Sequence, residues 1–186
     1  MPKYADLAPC AYGFQCSSGL CSGGYCSNGG GGGGCFKKGT PVLTPKGLIA
    51  IEKIKAGDSV YSYDEKTKKL LESKVVKPLA HKDLKDDAVI LTLVDGTTLN
   101  VTTNHLFYSP KDKKYRELKE FKVGDKVLVY KKDSFKELAI SSITPQKHFP
   151  VEYNLELGDG PHNYLVDGIV VHNDKPNGNG EVEIGG

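Results

Sequence analysis

The chain has 186 residues, with 25 basic and 23 acidic side chains and a formal net charge of +2. That is room for one ordinary domain with appendages, and too small a charge excess to draw it to nucleic acid or to an anionic membrane. Charged residues make up 26% and hydrophobic residues 38%, a balance typical of soluble folds, and no apolar run approaches the roughly 20 residues a membrane helix needs.

The amino terminus, MPKYADLAP, has no apolar h-region and reads as lacking a signal peptide. Residues 1–27 are cysteine-rich, with Cys10, Cys16, Cys21 and Cys26 in CAYGFQCSSGLCSGGYC. So short a segment needs staples to hold a core. Four thiols pair as two disulfides in any of three connectivities. Zinc is the rival reading, but no C-x-x-C pair is present, so disulfides and an oxidising compartment are favoured and no metal is expected. The fifth cysteine, Cys35, is left over and is a candidate for reactivity. NGGGGGG (28–34) reads as a linker.

From Cys35 onward apolar and polar residues alternate. Strands are predicted at 59–63, 88–94, 98–103, 126–130, 140–144, 151–157 and 168–172, with Asp-Gly turns at 95–96, 159–160 and 167–168. No segment carries a long helical stripe, so the fold class is all-β. The polar tail, 174–186, is expected to be disordered.

The β region contains an internal repeat. GDSVYSYDEKTKKLLESKVVKP (57–78) resembles GDKVLVYKKDSFKELAISSITP (124–145). Gly57 corresponds to Gly124 and His105 to His172, both 67 residues on. Two copies of one β unit, packed by a pseudo-twofold, would carry both histidines towards a shared centre.

The residues around that centre have a coherent chemistry. A thiol at Cys35 can attack the carbonyl of Gly34 and turn the amide into a thioester. The exchange is uphill unless the peptide is distorted, the nitrogen is protonated and the oxyanion is held by donors. Histidine suits the proton transfer because it titrates near neutrality. In VTTNH, Thr102 stands three residues before His105, a hydroxyl donor beside a proton carrier. At the other end, in VVHN, the Asn173 carboxamide can attack its own main-chain carbonyl, forming a succinimide and releasing Asp174 onward. His172 and His162 are placed to assist. Each residue has a bland role, a buried thiol or a strand-end imidazole. The joint arrangement argues for chemistry.

Three motifs carry a family resemblance. CFKKGTPVLTPKGLIAIEKIKAGDSVYSYDE (35–65) is similar to the opening motif of inteins and hedgehog autoprocessing domains, together called Hint domains. VDGTTLNVTTNHLFY (94–108) resembles the family's T-x-x-H motif, and VEYNLELGDGPHNYLVDGIVVHN (151–173) its two closing motifs. The resemblance spans 35–173 and implies an all-β horseshoe with pseudo-twofold symmetry and no endonuclease insert. It implies that Cys35 is the nucleophile, that Thr102 and His105 assist the acyl shift, that His162 and His172 assist cyclisation, and that Asn173 cyclises. Position 174 holds Asp where splicing inteins have Cys, Ser or Thr. The pattern therefore resembles bacterial intein-like domains that end in His-Asn without a downstream nucleophile (type A). Asn154 stands where many relatives have Asp, so any role of that carboxylate is expected to be lost or altered.

The expected function is self-processing without a cofactor. The Gly34–Cys35 bond is cleaved through a thioester by water, a thiol or an amine. The Asn173–Asp174 bond is cleaved by cyclisation, with low-yield splicing by aminolysis. The flanking segments are the substrate, the domain is a monomer, and the host is a secreted or cell-surface bacterial protein. The alternative is a secreted cysteine-rich binding protein with an inert β domain. Transfer of the amino-terminal segment to a sterol fits poorly with so short and polar a tail.

Overall fold

The computed structural model describes Cys21–Ser22, Tyr25–Cys26 and residues 34–173. The chain divides into two units, Met1–Gly33 and Gly34–Gly186. In the first, β1 (Cys21–Ser22) and β2 (Tyr25–Cys26) pair antiparallel with Cys21 opposite Cys26, a ladder the sequence did not suggest. Cys10, Cys16, the glycine run to Gly33 and the tail from Asp174 lie outside the described residues, and with them the expected disulfides, linker and disordered tail.

The second unit is almost entirely β. Its strands are β3 (Pro41–Thr44), β4 (Gly47–Ala50), β5 (Ser59–Asp64), β6 (Lys69–Lys82), β7 (Ala88–Leu93), β8 (Thr98–Thr102) and β9 (Leu106–Ser109). They continue as β10 (Lys114–Glu117), β11 (Lys126–Lys131), β12 (Ser134–Gln146), β13 (Val151–Leu157), β14 (Asn163–Val166) and β15 (Ile169–His172). Single 3-10 turns occupy Ile51–Lys53 and Leu118–Glu120.

The internal repeat is physical. β4 and β10, the two 3-10 turns, and β5 and β11 stand in the same register as Gly57 and Gly124. Both glycines have a positive φ, +89° and +94°, which disfavours any residue with a Cβ. Both turns close identically: the Gly57 N–H donates to Val75 O and the Gly124 N–H to Ile140 O, each at 2.8 Å. The Asp after each glycine accepts from the backbone of Lys55 or Lys122 at 2.8 and 2.9 Å.

The halves then exchange their long strands. β6 of the first half pairs with β13 of the second, and β12 of the second pairs with β7 of the first. Each half therefore lacks a complete sheet of its own. The larger of two buried hydrophobic clusters among the described residues holds Phe36, Leu91, Val101, Phe107, Leu155 and Tyr164, all without exposed surface, and the smaller gathers around Tyr63, Tyr108 and Leu165.

β6 and the first part of β12 were not foreseen. Their side chains are largely exposed along Lys69–Lys82 and Ser134–Ala139, and Pro78 lies inside β6, where a proline argues against a strand. Backbone pairing holds them instead: β6 with β5 and, across the exchange, with β13, and the first part of β12 with β11. The short β3, β4, β9, β10 and β14 also escaped the alternation pattern, β9 and β14 because all four residues of each are buried. The Asp167-Gly168 turn joins β14 to β15 with φ of 46° and 82°, the two-residue geometry its sequence suggested.

Candidate self-processing site

Phe36 fixes the start of the domain. It has no exposed surface, and its backbone exchanges both hydrogen bonds with Tyr153 on β13, at 2.8 and 2.9 Å. On the other side Phe36 bridges Val101 on β8. Truncating so buried an aromatic ring typically costs about 3–5 kcal/mol. This anchor holds Cys35 between β8 and β13, with 1% of its surface exposed.

The Gly34–Cys35 peptide is gripped at both ends. The Cys35 N–H donates to Thr102 Oγ1 at 2.7 Å, and the Thr102 hydroxyl in turn donates to Asn104 Oδ1 at 2.6 Å. Asn104 Nδ2 continues to Asp86 Oδ2 at 3.3 Å. On the carbonyl side, Asn154 Nδ2 donates to Gly34 O at 2.9 Å. The orientation of that carboxamide is set by its other end, because Asn154 Oδ1 accepts from the Leu155 N–H at 2.8 Å and from the Tyr164 hydroxyl at 2.5 Å. Both are donors, so the amine end must face the Gly34 carbonyl.

Two expectations change here. Thr102 sits at the nitrogen of the bond as an acceptor, not at the carbonyl as a donor. Asn154 is no mere loss of a carboxylate: it supplies the N–H that a carboxylate could not.

His105 has no exposed surface and packs against Phe36 with ring centroids 4.2 Å apart and planes tilted by 59°. Neither ring nitrogen makes a hydrogen bond of ordinary geometry. Burial pushes its pKa down to about 3, opposed by the adjacent Gly34 backbone and reinforced by His172. The imidazole is therefore neutral and does not titrate near pH 7 as the sequence suggested. It abuts the Gly34–Cys35 bond closely: a Cβ on Gly34 would lie 2.1–2.2 Å from the backbone and Cβ of His105. Only glycine fits at 34.

The second centre lies alongside. His172 on β15 is opposite Asn163 on β14 and Leu106 on β9, next to His105. Its ring lies 6.4 Å from that of His162 and 4.5 Å from that of Tyr115. His162 takes a positive φ of 51°, and its carbonyl accepts the Asn173 N–H at 2.8 Å. Asn163 pins this turn to β5, accepting from the Tyr63 N–H at 2.6 Å and donating to Tyr63 O at 2.9 Å. Asn173 is buried, and its side-chain Oδ1 has no hydrogen-bond partner among the described residues. Thus Cys35, Thr102 and His105 meet at the Gly34–Cys35 bond, and His162, His172 and Asn173 lie together at the end of β15. Asp174 lies outside the described residues. Among the described residues no group of three or more His, Cys, Asp or Glu side chains is arranged to hold a metal ion.

Sequence reading missed Asn154 as a donor, Tyr164 and Asn163 as its counterparts in support, and Glu152. The signal was available in part: Glu152 and Asn154 are polar residues two apart on β13, both buried, and alternation puts them on one face.

A duplicated all-β unit with exchanged strands, a buried cysteine at its entry and His-Asn at its exit is a Hint domain. The chain belongs to the pretoxin HINT domain family, whose model matches residues 41–174. It resembles the bacterial intein-like domain from Clostridium thermocellum at 31% identity and a TM-score of 0.66, covering 75% of this chain and 98% of that one. The DnaB intein from Synechocystis sp. PCC 6803 shares the fold at 22% identity and a TM-score of 0.68, over 76% of this chain and 99% of the other. The Ssp DnaB mini-intein variant M86 does so at 18% identity and 0.69, over 78% and 97%. A comparison with curated proteins gave no match.

Proposed function

We propose that this domain cleaves its own chain at both margins, as a type A intein-like element. Sulfur of Cys35 adds to the Gly34 carbonyl, the oxyanion forms against Asn154 Nδ2, and the Cys35 nitrogen leaves as an amine. Neutral His105, beside the Gly34 backbone, is a second donor to that oxygen, in the manner of a desolvated histidine that polarises a carbonyl without carrying charge. Water, a thiol or an amine then takes the acyl group. Asn173 cyclises separately, assisted by His172 and His162, and frees the segment from Asp174. Splicing is a minor route in which the new Asp174 amine attacks the thioester, because Asp lacks a nucleophile for transesterification. The flanks are the only substrate, no cofactor takes part, and the cysteine-rich flank together with the family's pretoxin description supports an exported bacterial host.

One observation carries this reading: donor and acceptor groups grip opposite ends of a single peptide bond, Asn154 at its carbonyl and Thr102 at its nitrogen. Intact-mass analysis after incubation with dithiothreitol tests it. Loss of 1–34 should vanish in Cys35→Ala, and loss of the tail should vanish in Asn173→Ala. A wild-type chain that keeps its full mass for days with thiol would defeat the proposal and favour an inert carrier.

A further inference from the structure

Glu152 has no role in the reaction so far described. It has no exposed surface, and neither carboxylate oxygen makes a hydrogen bond of ordinary geometry. A buried carboxyl is costly and needs a reason. Its neighbours supply one. The Cys35 thiol lies close enough to act on its charge, as do the side chain and backbone of Asp86. The strand register agrees: Phe36 opposes Tyr153, so Cys35 is a diagonal neighbour of Glu152. His81 stands opposite Glu152 on β6, and His148 contacts the Asp86 carbonyl through Nδ1 at 2.8 Å. Cys35, Asp86, His81 and His148 are thus the titratable groups around it.

We propose that Glu152 is the proton acceptor for the Cys35 thiol and returns that proton to the Cys35 nitrogen. This rests on the self-processing reading and adds the acid–base group it lacks. The Glu152 carboxylate takes the proton from sulfur, and the thiolate forms the S–C bond to Gly34 while the carbonyl π pair moves to oxygen. The intermediate collapses, the C–N bond breaks, and the nitrogen receives the proton from the Glu152 carboxylic acid. No proton or electron is gained or lost, and the carboxylate is regenerated. Burial keeps His105 neutral, with its pKa lowered to about 3, which makes it the weaker base of the two. Glu152 is suited to the work: burial first, then the charge of Asp86, raises its pKa to about 7, against a partly opposing influence of the Cys35 thiol. A group titrating there can both accept and give a proton at neutral pH.

The test uses the full chain with Asn173→Ala, so that only the amino-terminal bond is read. Release of 1–34 is followed by mass at saturating dithiothreitol, from pH 5.5 to 9. Glu152→Gln keeps shape and burial. It should slow release by about 100-fold or more and abolish the rise in rate that accompanies carboxyl ionisation. Glu152→Asp should restore part of the rate. In the chain carrying unaltered Cys35, without thiol, the Glu152 side-chain 13C resonance should titrate near neutrality and shift its midpoint in Cys35→Ala. If the parent releases 1–34 and Glu152→Gln matches it in rate and pH profile, or if the Glu152 midpoint ignores Cys35, Glu152 is not the base. If the parent itself never releases 1–34, the failure lies in the self-processing reading, and this proposal falls with it.

Discussion

Replacing Asn154 by Asp isolates one hydrogen bond. The two side chains are nearly isosteric, and a carboxylate still accepts from the Leu155 N–H and the Tyr164 hydroxyl, which now hold Asn154 Oδ1 at 2.8 and 2.5 Å. The change falls on the other end, where Nδ2 donates to Gly34 O at 2.9 Å. An acceptor bearing negative charge would then face an oxygen that becomes an oxyanion. Loss of one such donor costs about 2.7–4 kcal/mol at the transition state, or roughly 100- to 1000-fold in rate. The assay is thiol-induced release of 1–34 in an Asn173→Ala background, by intact mass. The pH dependence adds a signature, because a protonated Asp can donate again. Asn154→Asp should therefore recover activity as pH falls through the pKa of the new carboxyl, whereas a merely misfolded variant would not. Wild-type rates at neutral pH, with no acid recovery, would refute the assignment of Asn154 to the oxyanion.

Three further outcomes follow from the geometry. Gly34→Ala would place a Cβ 2.1–2.2 Å from His105, displacing the scissile carbonyl; release should fall by about 100-fold with little change in thermal unfolding, which mass and calorimetry report together. Thr102→Val removes the acceptor of the buried Cys35 N–H, so it should cost about 1–3 kcal/mol in urea unfolding and slow release. His105 is buried neutral, so the unfolded chain binds the extra proton and stability falls as pH drops from 6.5 towards about 3. The full loss is roughly 5 kcal/mol, and urea titrations at stepped pH should show it reduced in His105→Gln.

The candidate residues were legible because each carries its chemistry in the side chain. Cys35, His105, His172 and Asn173 stand at strand margins that alternation and the repeat register could find. Their electrostatics were not legible. Nothing in VTTNH says that His105 will be walled off by Phe36, Phe107 and the Gly34 backbone, so a neutral-range pKa was the natural expectation and desolvation overturned it. Nor does VEYNLEL say that Asn154 will point its amine at residue 34. That follows from the Tyr164 hydroxyl and the Leu155 N–H occupying its oxygen, and neither partner is marked in the pattern of polar and apolar residues. The fold class survived the missed strands because pairing across the exchange depends on backbone groups every sequence possesses.

The duplication suits one unit to the two proposed cleavages. His105 and His172 are equivalents under the repeat, and in space His172 pairs with Leu106, the neighbour of His105. Identical placement gives them no reason to differ; their surroundings do. His105 has no exposed surface and faces the Gly34 backbone, whereas His172 keeps 8% exposure and faces the His162 and Tyr115 rings. Addition of sulfur to the Gly34 carbonyl calls for donors at an oxyanion, and a deeply buried neutral imidazole can be one. Succinimide formation at Asn173 calls for a proton at the departing amine, the part proposed for His172 and His162. Substitutions that even out the burial of the two equivalent histidines should therefore impair one proposed cleavage without touching the other.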